Sequence, residues 1–332
     1  MRRVTITDVA RAAGVSVSTI SKVMNGRDGI APTTQEHVRQ VIEELGYVGN
    51  IGAQSLRARR TGVVGVLVSQ FEPYSAEILK GVGAAAEGTD REIMAWAGAS
   101  HNPHAPTGWE QKLLGRLAGS LIDGAIIVTP SVEASSGNFP VVAVDPQRLD
   151  LTRPAVSVND EGGTRSAVAH LVGLGHTRIG YLGGRDDLAS AVSREAGFRK
   201  AMAEAGLTVD ERHVQVGDYT AVGAAGPAAK LLDDRDRPTA IVAANDVSAL
   251  QVVAAARARG LRVPEDLSIV GFDDVPEAAR QGLTTVAQPL QAIGAMALSM
   301  LLDLPAGREL GDPHRQLPTH LIVRDTTAPA PR

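Results

Sequence analysis

The 332 residues include no cysteine. That excludes disulfides, thiolate metal sites and a cysteine nucleophile, and it fits a reducing compartment. Aromatic residues are scarce, four Phe, four Tyr and two Trp, so a place where several gather carries information. No stretch approaches the roughly 18 consecutive apolar residues that a membrane-spanning helix needs. The opening MRRVTITDVARAAG is basic, but Asp8 and Arg11 interrupt any apolar signal-peptide segment. A cytoplasmic protein with no membrane partner is therefore expected. Catalytic signatures are missing too: there is no G-x-G-x-x-G, Walker loop, G-x-S-x-G, H-E-x-x-H or S-x-x-K. His101, His104, His170 and His176 have no metal-ligand spacing, and His176 reads as a turn residue in LGHTRIG. No enzymatic activity, cofactor or metal is expected.

What is present is ordinary in bulk and uneven in distribution. Apolar residues make up 44% and charged residues 21%, the balance of a globular chain long enough for two or three domains. Residues 1–61 carry nine Arg or Lys against five Asp or Glu, while the remainder carries 24 against 32. A small basic head on an acidic body predicts that only the head meets a polyanion.

Residues 5–46 read as three short helices. Thr5 with Asp8 forms a capping-box start, Ser16 can cap the second helix, and Thr33 with Glu36 starts the third, which stops at Gly46. Gly14 supplies a tight turn in AAGVS, so the first two helices make a helix-turn-helix candidate. In VSVSTISKVMNG, the residues Ile20, Val23 and Met24 recur at helical spacing and face the other helices. Val17, Ser18, Ser21 and Lys22 are left outside. Short side chains allow close approach to a groove, hydroxyls and a helix N-terminus hold phosphates, and Lys22 reaches a guanine edge or a phosphate. The alternative is a capped surface helix with solvated hydroxyls.

Residues 47–61 lack acid and contain Arg57, Arg59 and Arg60, as in a linker with a marginal helix. From Gly62 onward, apolar runs at 63–68, 92–97, 124–128, 141–144, 178–182, 240–244 and 267–272 alternate with amphipathic helices such as 75–87, 162–173, 192–205 and 246–259. This alternation predicts an α/β fold of parallel sheets, with ligands beyond the carboxyl ends of the strands. Phe71, Tyr74, Trp109, Tyr219 and Phe272 lie at strand ends or helix starts, where flat faces suit a sugar ring. Trp109 is equally readable as a helix residue packed on the body. Asp145, Arg194, Asn245 and Asp273 are candidates for fixing hydroxyls, whereas Asp246 and Asp274 read as caps or turn residues.

TITDVARAAGVSVSTISKVMNG followed by APTTQEHVRQVIEELGYVGN resembles the headpiece of the LacI/GalR family of bacterial transcription regulators. HLVGLGHTRIGYLGG, SREAGFRKAM, PTAIVAANDVSALQVVAAARARGLRVPEDLSIVGFDD and LTTVAQPLQAIG resemble that family's regulatory core, in the expected order. The resemblance implies a helix-turn-helix headpiece at 1–48, a hinge at 49–61, and a periplasmic-binding-protein-like core of two doubly wound parallel-sheet subdomains at 62–332. The first subdomain would span about 62–159 and 288–320 and the second about 160–287, crossed by strands near 158–162 and 286–290.

By the same resemblance Val17, Ser18 and Lys22 fall where bases are read, and Ser16, Thr19, Ser21, Asn25 and Thr34 where phosphates are held. Thr5, Asn50 and Ala53 complete the DNA-contacting set, and Leu56 falls where a leucine of each subunit wedges into the minor groove. Leu56 alone would pass for a linker hydrophobe. Arg194, Asn245 and Asp273 match effector-contacting positions, as do Asp145, Ser69, Phe272 and Gln288, and the aromatic candidates Phe71, Tyr74, Trp109 and Tyr219 join them in the expected effector site. The expected partners are double-stranded operator DNA with a pseudo-palindrome, a small sugar effector, and a second copy in a homodimer. FEPYSAEILKG at 71–81 resembles a subgroup of the family associated with plant-derived oligosaccharides and their breakdown sugars. The expected role is a repressor of carbohydrate uptake or catabolism genes; an exported sugar-binding protein of a transporter, or a sugar-acting enzyme on the same core, is the alternative.

Gly49, Gly52 and Gln54 depart from the family's hinge, and a glycine inside a helix costs about 1 kcal/mol against alanine. A hinge of this length is marginal as a helix, so it is expected to fold only on DNA. Leu56→Ala is predicted to weaken specific operator binding far more than binding to random duplex in a salt-matched titration. Equal loss on both would contradict the wedge.

Overall fold

The computed structural model describes residues 4–24, 28–47, 61–98, 108–131, 139–147, 153–306 and 311–331. Asn25, the expected hinge with Asn50, Ala53 and Leu56, and the histidines at 101 and 104 lie outside them. The chain divides into two compact units, one formed by 1–61 with 119–121 and the other by 62–118 with 122–332.

The first unit contains α1 (Ile6–Ala12), α2 (Val17–Met24) and α3 (Pro32–Glu44). Thr5 and Asp8 cap α1 reciprocally. Gly14, at φ +65°, turns the chain through the left-handed region between α1 and α2. Val9, Ala10, Ala13, Ile20, Val23, Val38 and Val41 close a small core. The third helix does not begin on a Thr33 cap. It starts at Pro32, whose missing N–H costs nothing at a first helical position, and no side chain caps it. Leu45 follows the helix and is exposed.

In the second unit, β1 (Val63–Val68), β2 (Glu92–Ala97), β3 (Gly124–Val128), β4 (Val141–Val144), β5 (Ala155–Val158) and β11 (His314–Leu317) form one sheet in the order β11-β5-β4-β3-β1-β2. The strands β6 (Ile179–Gly183), β7 (Val214–Val216), β8 (Ala240–Ala243), β9 (Ser268–Asp273), β10 (Thr284–Ala287) and β12 (His320–Ile322) form the other, in the order β12-β10-β9-β8-β6-β7. All pairs are parallel except β10 with β12. Central strands such as VVGVLV and SIVGFD are buried along their whole length, as parallel strands covered on both faces must be. Helices α4 (Pro73–Ala86), α5 (Trp109–Leu117) and α11 (Leu290–Asp303) accompany the first sheet. The second has α6 (Asp160–Gly173), α7 (Ala189–Glu204), α8 (Ala221–Asp233), α9 (Asp246–Ala258) and the short α10 (Pro276–Arg280).

The chain passes between the sheets three times: at Asn159, at Gln288–Pro289, and between β11 and β12. The expected crossing strands near 158–162 and 286–290 are shorter, because Asp160 already opens α6 and Leu290 opens α11. The third passage was not foreseen: HRQL is too polar and HLI too short to read as strands. Pairing of His320–Ile322 with β10 puts residues beyond 287 into the second sheet, where the expected boundary had ended. The tail is fastened there. The hydroxyl of Thr326 accepts from the Thr284 amide at 2.9 Å and donates to the Ile269 carbonyl at 2.7 Å. His176 is buried rather than a surface turn residue, and its ring bonds Thr239, Ser268 and the Ala328 carbonyl at 3.0–3.1 Å.

Helices α4 and α11 touch backbone to backbone. A methyl at Gly81 would overlap the Gln291 carbonyl, and one at Gly294 the Ile78 carbonyl. Gly83, also in α4, faces open space. Gly294→Ala should therefore cost about 1–3 kcal/mol as overpacking, whereas Gly83→Ala should gain up to about 1 kcal/mol from helix propensity. Thermal melts of the two variants check this; a Gly294→Ala melt no lower than that of Gly83→Ala would contradict the packing.

Candidate functional site

In the first unit, α2 presents an unbroken group of hydroxyls at its N-terminus. Ser16 Oγ lies 2.7 Å from Ser18 Oγ and 2.9 Å from Thr19 Oγ1, and it accepts the Thr19 amide at 3.1 Å. Val17, Ser18 and Lys22 are exposed and Ser21 is half-buried, while Ile20 and Val23 are buried on the opposite side. Thr34 is half-buried in the first turn of α3, and the Thr5 hydroxyl donates to Asp8 at 2.7 Å. The face that sequence assigned to DNA is thus apolar behind and short, polar and singly cationic in front. A groove accepts such a surface, and its hydroxyls and free helix-end amides match phosphate oxygens.

In the second unit, candidate side chains from both sheets meet at the carboxyl ends of the strands, centred on Arg194 of α7. Its guanidinium is buried and lies over the Phe272 ring, 3.8 Å from the centroid, and more distantly over Tyr219 at 5.8 Å. Arg194 Nε donates to Asp160 Oδ1 at 2.7 Å; Nη1 donates to the Ala244 carbonyl and faces Asp273 Oδ1 at 3.5 Å. Gln288, on a crossing segment, donates to the same Asp273 oxygen at 2.6 Å. From the first sheet, the Tyr74 hydroxyl is 3.4 Å from Asp145 Oδ2. The carbonyl of Gln147, two residues on, accepts the Ala189 amide at 3.1 Å, linking the end of β4 to the start of α7.

The electrostatics follow from one cation among several acids. Burial, reinforced by the charge of Asp160, pushes Asp145 up to about 7 against the pull of Arg194 and the Tyr74 hydroxyl. Burial also holds Asp160 above its usual range in spite of Arg194, and raises Asp273 much further. Glu72, whose carboxylate caps α4, is raised by burial as well, and the Tyr74 phenol is well above its normal value. Backbone strain lies in the same region. The described non-glycine residues with positive φ are Thr129, Asp145, Asp218, Tyr219, Asp273 and Asp274, and each sits at or just past the carboxyl end of a strand.

Arg194, Tyr219, Phe272, Asp273, Gln288, Tyr74 and Asp145 are therefore brought together. Ser69 is half-buried just past β1, and Phe71 is 60% exposed ahead of α4. Asn245 is buried and bonded within the protein: its Oδ1 caps α9 through the Ser248 amide at 2.9 Å, and its Nδ2 donates to the Tyr219 carbonyl at 3.0 Å. It positions Tyr219. Trp109 is not brought to the group; it is buried with Leu114, Leu117 and Ile127, its ring against Gly98. Asp246 and Asp274 are structural: Asp246 bonds the Val275 amide and Thr285, and Asp274 pairs with Arg324 at 2.7 Å. Sequence reasoning missed Asp160 and Glu72. Asp160 had a signal, since it opens a helix directly after a strand; Glu72 had none beyond its neighbours. Among the described residues no group of three or more His, Asp or Glu is placed to hold a metal ion, and no helix is long and apolar enough to cross a membrane.

Comparison with known proteins gives the same two parts. Residues 5–50 match the family model of bacterial regulatory proteins, lacI family, and residues 168–327 match that of a periplasmic binding protein-like domain. The HTH-type transcriptional regulator CelR of Thermobifida fusca is 34% identical over 98% of this chain and 98% of its own. Catabolite control protein A of Priestia megaterium is 32% identical over 98% and 99%. Among solved structures, a complex of the regulator CelR with cellobiose is 32% identical, covers 98% of this chain and 100% of its own, and has a TM-score of 0.71. A lac repressor dimer bound to operator and the anti-inducer ONPF is 29% identical over the same shares, with a TM-score of 0.84.

Asp145 gives a stability prediction with a definite sign. The folded chain keeps its proton to about pH 7, whereas an unperturbed aspartate releases it near 3.8. The native state thus binds more protons over that window, and stability falls as pH rises through it. Asp145→Asn removes this cost, so its melting-temperature gain over the parent should grow from pH 4 to pH 8, reaching a few degrees, the size of about 1–2 kcal/mol. Melts across the range check it; a difference that does not change with pH would contradict the assignment.

Proposed function

This chain belongs to the LacI family of bacterial regulatory proteins, and from that premise we propose that it is a cytoplasmic, homodimeric repressor of carbohydrate uptake or catabolism genes, released from its operator by a small sugar. The observation that carries the reading is the cluster around Arg194, where aromatic faces and hydroxyl-accepting carboxylates from both sheets converge in a chain that also bears a DNA-reading head. Ring faces beside polar acceptors are the chemistry of saccharide recognition. A relative crystallised with cellobiose supports a β-linked glucose disaccharide as the first effector to try. None of these groups is arranged as a nucleophile with its base, which favours a sensor over a catalyst.

The route from effector to DNA is geometric. An effector seated on Asp145 from the first sheet and on Asp160 and Asp273 from the second alters how the sheets stand across the three crossing segments. The heads follow through residues 48–60, which lead into β1. A dimer holds two such heads in register for the half-sites of a pseudo-palindrome. The effector shifts occupancy only by binding the two arrangements unequally, typically with about 1–3 kcal/mol of coupling.

Selection of random duplexes by the full chain should enrich one pseudo-palindrome. Adding cellobiose should then weaken its binding by about 5–150-fold. Lys22→Ala should broaden the enriched sequences rather than only flatten the salt dependence. No enrichment over random duplex at physiological ionic strength would overturn the regulator reading; enrichment that no mono- or disaccharide alters would overturn the sugar.

A further inference from the structure

Residues 325–330 follow β12 and cross the amino ends of β10 and β9 to the turn after α6. The Asp325 amide donates to the Gly282 carbonyl at 2.8 Å, and the Ile269 amide to the Thr326 carbonyl at 2.8 Å. The Ala328 amide donates to Ser268 Oγ at 3.0 Å, and the Ala330 amide to the Leu174 carbonyl at 2.9 Å. Two histidines complete the attachment. His170 of α6 sets Nε2 3.0 Å from Thr327 Oγ1. His176, 1% exposed, sets Nε2 3.0 Å from the Ala328 carbonyl and Nδ1 3.0 Å from Thr239 Oγ1. A carbonyl only accepts, so the neutral His176 ring carries its hydrogen on Nε2 and takes the Thr239 hydroxyl hydrogen on Nδ1. A second proton therefore enters at Nδ1. Thr239 can yield to it, because its hydroxyl also reaches the Arg178 carbonyl at 3.3 Å. The charge that results meets no carboxylate. On the packed elements Arg324 pairs with Asp274, Arg237 bonds the Asp266 carbonyl, Asp266 bonds Arg262, Arg178 is exposed, and Asp325 lies against Gly282. His170 is the ionisable group whose charge acts on His176, and it opposes a second positive charge.

We propose that residues 325–330 form a proton-sensitive strap, closed on the second sheet while His170 and His176 are neutral and released when they are charged. A buried imidazolium whose hydrogen-bond partners are all uncharged costs free energy that the opened strap, with its rings in water, does not bear. Release frees the amino ends of β9 and β10, two strands that lead at their other ends to Asp273 and Gln288. Burial holds both rings below the ordinary 6.5 of an imidazole. The opened strap binds more protons below that value, so closure is complete above pH 6.5 and weakens as pH falls through the values of the closed state. Acids raised by burial act with the opposite sign: Asp145 and Asp246, each at about 7, favour the fold in acid. Their titration therefore does not imitate the strap.

Amide hydrogen exchange of the full chain at about pH 7.5 and pH 5.5, corrected for the intrinsic rate, tests the proposal beside an NMR titration of the two histidine rings. Protection of the Ile269, Thr284, Ala328 and Ala330 amides should fall about tenfold or more at the lower pH, since each unit by which an imidazole is held down is a factor of ten in closure. Amides of β1, in the other sheet, should keep theirs. His170→Gln and His176→Gln, whose amides form hydrogen bonds but do not titrate, should each flatten the response. Strap protection that does not change with pH in the parent, or rings that titrate while the strap stays closed, would overturn the proposal. So would the parent's full response in both variants. Should either variant fail to fold, the parent's exchange and ring titration decide alone.

Discussion

The ion cluster on Arg194 is the contact around which the regulatory unit is built. One guanidinium lies on the Phe272 ring, bonds Asp160 at the start of α6, bonds the carbonyl that ends β8, and faces Asp273 at the end of β9. It therefore ties α7 to three separate carboxyl-terminal edges. Removing it would leave two buried carboxylates with no counter-charge, a loss far larger than that of one ligand contact. The cluster is at once a structural tie and the floor of the proposed binding surface. That dual role makes Arg194→Ala a poor probe of ligand binding alone, because loss of response and loss of local order would arrive together.

Much of the fold was legible in the sequence, for a physical reason. Parallel strands buried on both faces must be written as unbroken apolar runs, and VVGVLV, GAIIV, VVAV and AIVAA are such runs. The head was legible through the Thr5 and Ser16 caps of its first two helices and its Ile20-Val23 stripe. What escaped lies where that code fails. Strands β11 and β12 are short edge strands, the first polar and largely exposed and the second three residues long, so no apolar run marks them or the third crossing they create. His176 sits in a turn-like string, yet its ring is a buried hub for the tail, and nothing local announces partners 63 to 152 residues away. Trp109 shows the converse error. A helix start beside a strand end places an aromatic near the ligand edge or inside the core, and which of the two depends on the ring's direction, fixed here by packing against Gly98.

At the candidate site, residue types were legible and their states were not. Arg194, Asp273 and Phe272 could be named in advance, but that the Asn245 side chain caps α9 and holds the Tyr219 carbonyl could not. The strained backbone was invisible too. Asp145, Tyr219 and Asp273 all have positive φ, a conformation their residue types seldom adopt, and the surrounding sheets must impose it. A sequence that codes for strands and helices separately carries no local mark of it.

An uncharged effector would set a constraint on how such a regulator works. The head is basic and the body acidic, so an anionic ligand could alter DNA affinity merely by adding charge. A neutral one cannot; its influence must pass through relative movement of the two sheets. The structure offers few paths for that movement. Three crossing segments are the covalent ones, and two of them abut the cluster: Asn159 precedes Asp160, and Gln288 bonds Asp273 directly. The Gln147 carbonyl to Ala189 amide bond spans the same gap beside Asp145. A ligand that rearranges the carboxylates thus acts at once on both covalent links and on a hydrogen bond between the sheets. Few packed side chains need intervene, because the proposed binding surface and the crossing segments are built from adjacent residues.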